Sequence, residues 1–181
     1  MRSSFLLYLL FSSTLAFCQS IPSSWLGTYR GTMYLYSKSS NPYGEVPVEL
    51  VFKELEKEAV WSYKMTYAAP GQPGYVVKDY QIERVHDTLF MNEGEGIVLP
   101  MKLFGECLMD FYSIEDIDAS KTYMGSQLCR TAKGTLEFKV FGGSMSPLSS
   151  KEIVDVQDGT FSLSTYNLGF YQVVVLKKVK K

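Results

Sequence analysis

The sequence predicts an all-β chain, folded as a single up-and-down barrel of about eight to ten antiparallel strands with little helix. Three observations predict it. Apolar and polar residues alternate with period two in segment after segment, the mark of strands with one buried face. Turn-forming clusters such as Pro70-Gly71-Gln72-Pro73-Gly74, His86-Asp87, Gly94-Glu95-Gly96 and Gly142-Gly143 separate these segments. No stretch carries a sustained helical period, and no Pro/Ser/Gly-rich linker divides the chain.

The first eighteen residues, MRSSFLLYLLFSSTLAFC, stand apart. Arg2 precedes the apolar run Phe5–Phe11, which is too short to span a bilayer, and Ala16 and Cys18 hold the small-residue positions before Gln19. This is the pattern of a secretory signal peptide over 1–18, leaving 19–181 as one barrel domain. Leu15-Ala16-Phe17-Cys18 also resembles a bacterial lipoprotein box, in which Cys18 is acylated, although the bulky Phe17 departs from that pattern. Either route exports the chain, to a periplasmic, outer-envelope or extracellular location. Cys107 and Cys129 then remain, an even pair and a disulfide candidate. Two buried free thiols are the other reading, which spacing alone leaves open.

Without Arg2 the exported portion carries 17 Lys and Arg against 19 Asp and Glu, a net charge of −2. That balance argues against a nucleic-acid partner, which needs a basic face. No segment of it has the eighteen or so apolar residues of a transmembrane helix.

In SSWLGTYRGTMYLY, over Ser23–Tyr36, the alternating set is Trp25, Gly27, Tyr29, Gly31, Met33 and Leu35. Glycine inside a strand marks a bend or a close backbone approach, which a small closed barrel needs where its sheet coils sharply. Val46, Val48, Leu50 and Phe52 form the next apolar face, and Trp61, Tyr63, Met65 and Tyr67 the third. Fainter strands follow at 77–85, 88–92, 97–103, 107–112 and 123–130, a clear one at 136–140, and fainter ones again at 160–166 and 170–179. Pro100 makes the 97–103 segment edge-like or bulged. Ser149 and Glu152 have capping-box spacing, and one or two helical turns are expected there at most, because Ile153, Val154 and Val156 are β-branched and Gly159 follows. Closure into a barrel is favoured because it removes the free edges that long apolar strands would expose.

Trp25-x-Gly27-x-Tyr29-x-Gly31 resembles the first strand of the calycin superfamily, which includes lipocalins, fatty-acid-binding proteins and bacterial lipocalin-like domains. There an early strand sets glycine near an aromatic that plugs the closed end of the barrel. The resemblance implies a lipocalin-like barrel holding a small hydrophobic or amphipathic ligand. The segment Ser37–Gly44 is too short for the two-helix lid of fatty-acid-binding proteins.

The sequence holds no catalytic constellation. His86, the one histidine, lies in the turn Val85-His86-Asp87. The acidic turns Asn92-Glu93-Gly94-Glu95-Gly96 and Glu115-Asp116-Ile117-Asp118 offer oxygen ligands, but neither follows the twelve-residue calcium-loop pattern. No metal or cofactor is expected. The aromatics are more informative: 13 Tyr, 11 Phe and 2 Trp, with 8 adaptable Met. A buried tyrosine must satisfy its hydroxyl, which a wet interior cavity does readily. The candidate ligand contacts are Tyr29, Trp61, Tyr63, Tyr67, Tyr80 and Phe111, with Arg84 and Arg130 as partners for a ligand carboxylate. A barrel packed solid, contacting a cell-envelope partner through outward aromatics such as Tyr34 and Tyr36, is the rival expectation. The tail Lys177-Lys178-Val179-Lys180-Lys181 reads as charge that keeps the apolar strand before it from aggregating.

Overall fold

The computed structural model describes residues 20–155 and 159–180. The expected signal peptide and the lipidation candidate Cys18 lie outside the described residues. The strands are β1 (Gly27–Tyr36), β2 (Gly44–Glu54), β3 (Val60–Tyr67), β4 (Val76–Val85), β5 (Thr88–Gly94) and β6 (Ile97–Phe104). They continue as β7 (Cys107–Glu115), β8 (Lys121–Arg130), β9 (Leu136–Ser144), β10 (Ser149–Asp155), β11 (Gly159–Thr165) and β12 (Phe170–Lys178). β1 to β9 form an antiparallel meander. β12 pairs with both β9 and β1 and so closes a ten-strand barrel, while β10 and β11 form a separate two-stranded hairpin.

Each strand reverses the last, so the barrel has two distinct ends. The end where β1 begins is packed solid. Trp25, Phe52, Ile82, Leu136 and Leu176 are wholly or almost wholly buried there, joined by Trp61 and Ile21. Phe52 meets Tyr63 edge to face, with ring centroids 5.5 Å apart, an arrangement favoured by the ring quadrupoles. Trp25 continues the apolar series in the sequence but precedes the first strand. It sits in a single 3-10 turn, Ser23–Trp25, and seals this end, while β1 starts at Gly27.

The two glycines of β1 serve close approach. A Cβ on Gly31 would collide with the carbonyl oxygen of Val175 and lie 2.7 Å from Cγ2 of Val174. The β1–β12 pairing runs through Tyr29–Lys178 and Arg30–Lys177 and resumes at Met33–Val174, so the ladder lapses where Gly31 lets the chains press together. Gly27 has φ +146°, a conformation open to glycine.

Two features depart from a plain meander. Ser149–Asp155, where a helical turn was expected, is β10, paired residue for residue with β11 from Ser149–Thr165 to Asp155–Gly159. The β-branched Ile153 and Val154 prevail over the local capping-box spacing, because the strand gains a full ladder that a two-turn helix lacks. Pro100 acts as expected. β6 pairs with β5 through Pro100 but meets β7 only from Lys102–Met109 to Phe104–Cys107. The half of β7 beyond Met109 therefore has no partner in β6, and a seam opens in the wall. Cys107 and Cys129, directly opposite across β7 and β8, are joined as a disulfide with Cα atoms 4.0 Å apart.

Candidate functional site

The other half of the barrel is hollow. A cavity of about 400 Å³ extends from the middle of the barrel to the end where β4 and β12 begin. Period two fixes which residues face it. From β3 come Tyr63, Met65 and Tyr67, from β4 Val76, Lys78 and Tyr80, and from β5 Met91 and Glu93. β6 gives Met101, β7 gives Leu108, Asp110 and Tyr112, and β8 gives Met124, Ser126 and Leu128. Met33, Leu35 and Val46 add to the wall on one side, and Phe138, Val140, Phe170 and Gln172 on the other. Most of this surface is thioether, aliphatic or aromatic. The long unbranched methionines adapt to irregular shapes.

The polar groups are few and convergent. Asp110 is buried. One of its carboxylate oxygens accepts the backbone N–H of Ser126 at 2.9 Å, and the other accepts the Ser126 hydroxyl. Burial raises its carboxyl from the ordinary value, against the lowering effect of both Ser126 bonds. The Tyr63 hydroxyl is pushed well above the usual tyrosine value by burial, with charge from Tyr67, Asp110 and Tyr80 adding to the effect. Tyr67 is raised by burial, then by Tyr80 and Glu93. Its hydroxyl donates to the Met65 sulfur at 2.8 Å. Tyr112 is raised to about 12 by burial, with Glu93, Asp110 and Tyr80 contributing. Four phenols and two carboxylates thus line the one cavity. Lys78 is raised chiefly by its hydrogen bond to Tyr80, then by the charges of Tyr80 and Glu93. Its ammonium lies 5.6 Å from the Tyr80 ring centroid.

The structure divides the eight candidate contact residues. Tyr63, Tyr67 and Tyr80 line the cavity. Tyr29 and Trp61 are buried in the solid half instead. Tyr29 reaches back to the Ser24 carbonyl at 3.5 Å, with the Lys178 ammonium over its ring. Phe111 points outward, 65% exposed, and borders a shallow outer hollow with Tyr123 and Tyr166. Arg130 faces Glu106 at 4.0 Å, and Arg84 lies beside the β4–β5 turn; neither lines the cavity. His86 is exposed in that turn with φ +56°, at the closed end. Of the acidic turns, Glu93 faces the cavity, while Glu115 pairs with Lys121 at 3.0 Å on the surface. Among the described residues no cluster of three metal-ligating side chains occurs.

Sequence reasoning missed Asp110, Ser126, Tyr112 and Lys78. The signal for Asp110 was present: it falls in the alternating series Leu108, Asp110, Tyr112, a carboxylate on an otherwise apolar face.

No protein-family model matches the chain, and no curated protein matches it. Among solved structures, the chain is similar to the crystal structure of Rv2717c from M. tuberculosis. The identity is 14% and the TM-score 0.46, covering 87% of this chain and 94% of that one. A likeness of that degree assigns neither family nor ligand.

Proposed function

We propose that this protein is an exported, non-enzymatic binding module, lipocalin-like in architecture, that holds a small hydrophobic or amphipathic molecule in the open half of its barrel. The cavity itself carries the reading. Its volume of about 400 Å³ lies in the range of small-molecule sites, and an apolar wall with a few convergent polar groups is their usual composition. The solid half gives such a site a rigid floor. Export rests on the sequence pattern before Gln19, and the disulfide accords with it.

Titration with Nile red, an uncharged fluorophore that brightens in apolar surroundings, tests this. Saturable binding at one site per chain is expected. Met91→Trp adds an indole to the cavity wall and should weaken that binding by about tenfold or more, on the scale of 1.4 kcal/mol per decade. Tyr34→Ser, on the outer face, should leave it unchanged. Absence of saturable binding, or equal effects of the two substitutions, would remove the basis for the reading.

A second reading is an interaction surface. It is favoured by the outer hollow bordered by Phe111, Tyr123 and Tyr166, where the Phe111 and Tyr123 rings stack with centroids 6.1 Å apart. Partner capture that survives Met91→Trp but not Phe111→Ser would support it.

A further inference from the structure

Resting on the reading of the cavity as a ligand site, we propose that its ligand is an amphipathic amine, with a cationic head at Asp110 among the tyrosines and an apolar body along the methionines. Asp110 is the buried charged residue of the core among the described residues. A carboxylate is an acceptor only, with about four lone-pair positions on its two oxygens. Ser126 supplies one donor to each oxygen, and the remaining acceptor capacity borders the cavity.

No ion pair among the described residues reaches Asp110; those present are all on the outer surface. The cavity's own cation, Lys78, is engaged nearer the mouth, over Tyr80 and within reach of the charge of Glu93. Lys78 and Glu93 offset each other, so ionised Asp110 leaves the cavity one negative charge in excess. A buried charge without a counter-ion is costly, and a ligand cation would provide one. The surrounding phenols suit the same head. Tyr63 and Tyr112 lie close enough to feel the charge of Asp110, and aromatic faces attract a desolvated cation. A ligand carboxylate would instead meet Asp110 and Glu93 as like charges. An alcohol could donate one hydrogen bond but would bring no charge.

Displacement of bound Nile red at neutral pH by decylamine, decanol and decanoate tests this. These probes share a ten-carbon chain and differ in the head. Decylamine should bind at least about tenfold more tightly than decanol, the gain expected of a charge-assisted hydrogen bond in a desolvated site, and decanoate most weakly. In Asp110→Asn the amine's advantage over decanol should fall to within about twofold, while an unchanged near-ultraviolet circular dichroism spectrum shows that the barrel still forms. Equal binding of amine and decanol by the unmodified protein, tighter binding of decanoate, or an amine preference that survives Asp110→Asn would overturn the proposal and leave the cavity standing as a site. Failure of Nile red and all three probes to bind would overturn the site itself, and this proposal with it.

Discussion

Single atoms decide the most at two positions. At Gly31 the added methyl of Gly31→Ala falls against the Val175 carbonyl oxygen and the Val174 side chain. The oxygen belongs to a strand bonded on both sides and cannot yield. Overpacking of this kind costs about 1–3 kcal/mol, so the Tm should drop by roughly 2–12 °C at this chain size; an unchanged Tm would mean that β1 and β12 lie farther apart at Gly31. At Asp110 the sign runs the other way. Its carboxyl is raised in the fold by burial, so between the unfolded pKa and the higher folded one the native state binds more protons than the unfolded chain. Stability is then full below the unfolded pKa and falls as pH rises through the folded one. Asp110→Asn removes this titration yet keeps both contacts, its oxygen accepting from the Ser126 N–H and its amide donating to the Ser126 hydroxyl. The variant should exceed the unmodified protein in Tm at pH 7, because it has no carboxylate to ionise in the buried site. The difference should vanish as pH falls below about 4, the ordinary carboxylate range. Thermal melts across that range read it directly, and a gap that widens in acid would reverse the assignment.

Among the elements, the β10–β11 hairpin is structurally separate. It interrupts the path from β9 to β12 but joins neither, pairing only with itself. The connection is held shut at its base instead, where the Gly169 N–H donates to the Gly142 carbonyl at 2.8 Å and the Tyr123 hydroxyl donates to the Asn167 carbonyl at 2.9 Å. Replacing 149–165 by a Gly-Ser pair should therefore preserve the barrel. Shortening the connection about 2.5-fold changes its closure entropy by only ~0.8 kcal/mol, so the Tm should move by no more than about 3 °C; collapse of the near-ultraviolet circular dichroism would show that the hairpin supports the wall. The barrel strands were legible in the sequence because one face of each is buried, and burial writes period two into the residues. Val46–Phe52 and Trp61–Tyr67 show it plainly, and β2 and β3 contain them both. β10 was not legible as a strand, because it turns no face to the core: Ser149, Glu152 and Ile153 carry no alternation, and the pairing that makes them extended comes from Thr165, Ser162 and Phe161, farther along the chain. Trp25 misled for the opposite reason, keeping the series in step while leaving the strand.

For the molecule as a whole, the interior divides into a packed half and a hollow half, and alternation cannot report the division. An inward tyrosine looks the same in sequence whether it plugs a floor, as Tyr29 does, or borders a cavity, as Tyr63 does. What separates them is height along the barrel, which depends on the stagger between strands far apart in the chain. The aromatic content thus signalled an interior that needed partners for its hydroxyls, but not which tyrosines would share it with Asp110. The same division separates the disulfide, which stabilises the protein, from the cavity proposed to bind. The Cys107–Cys129 bond lies at the closed-end termini of β7 and β8, with a sequence separation of 22. Closing a loop of that size stabilises by about 3 kcal/mol, mainly by restricting the unfolded chain. Replacing both cysteines by serine should therefore lower the Tm by roughly 6–12 °C. Because the native cavity walls are untouched, Nile red affinity well below the transition should stay within about twofold. Melts and titrations on the same preparation measure both. Lost affinity with an unchanged Tm would place the bond in the service of the cavity rather than of the fold, and would deny that the two halves of the barrel are energetically separate.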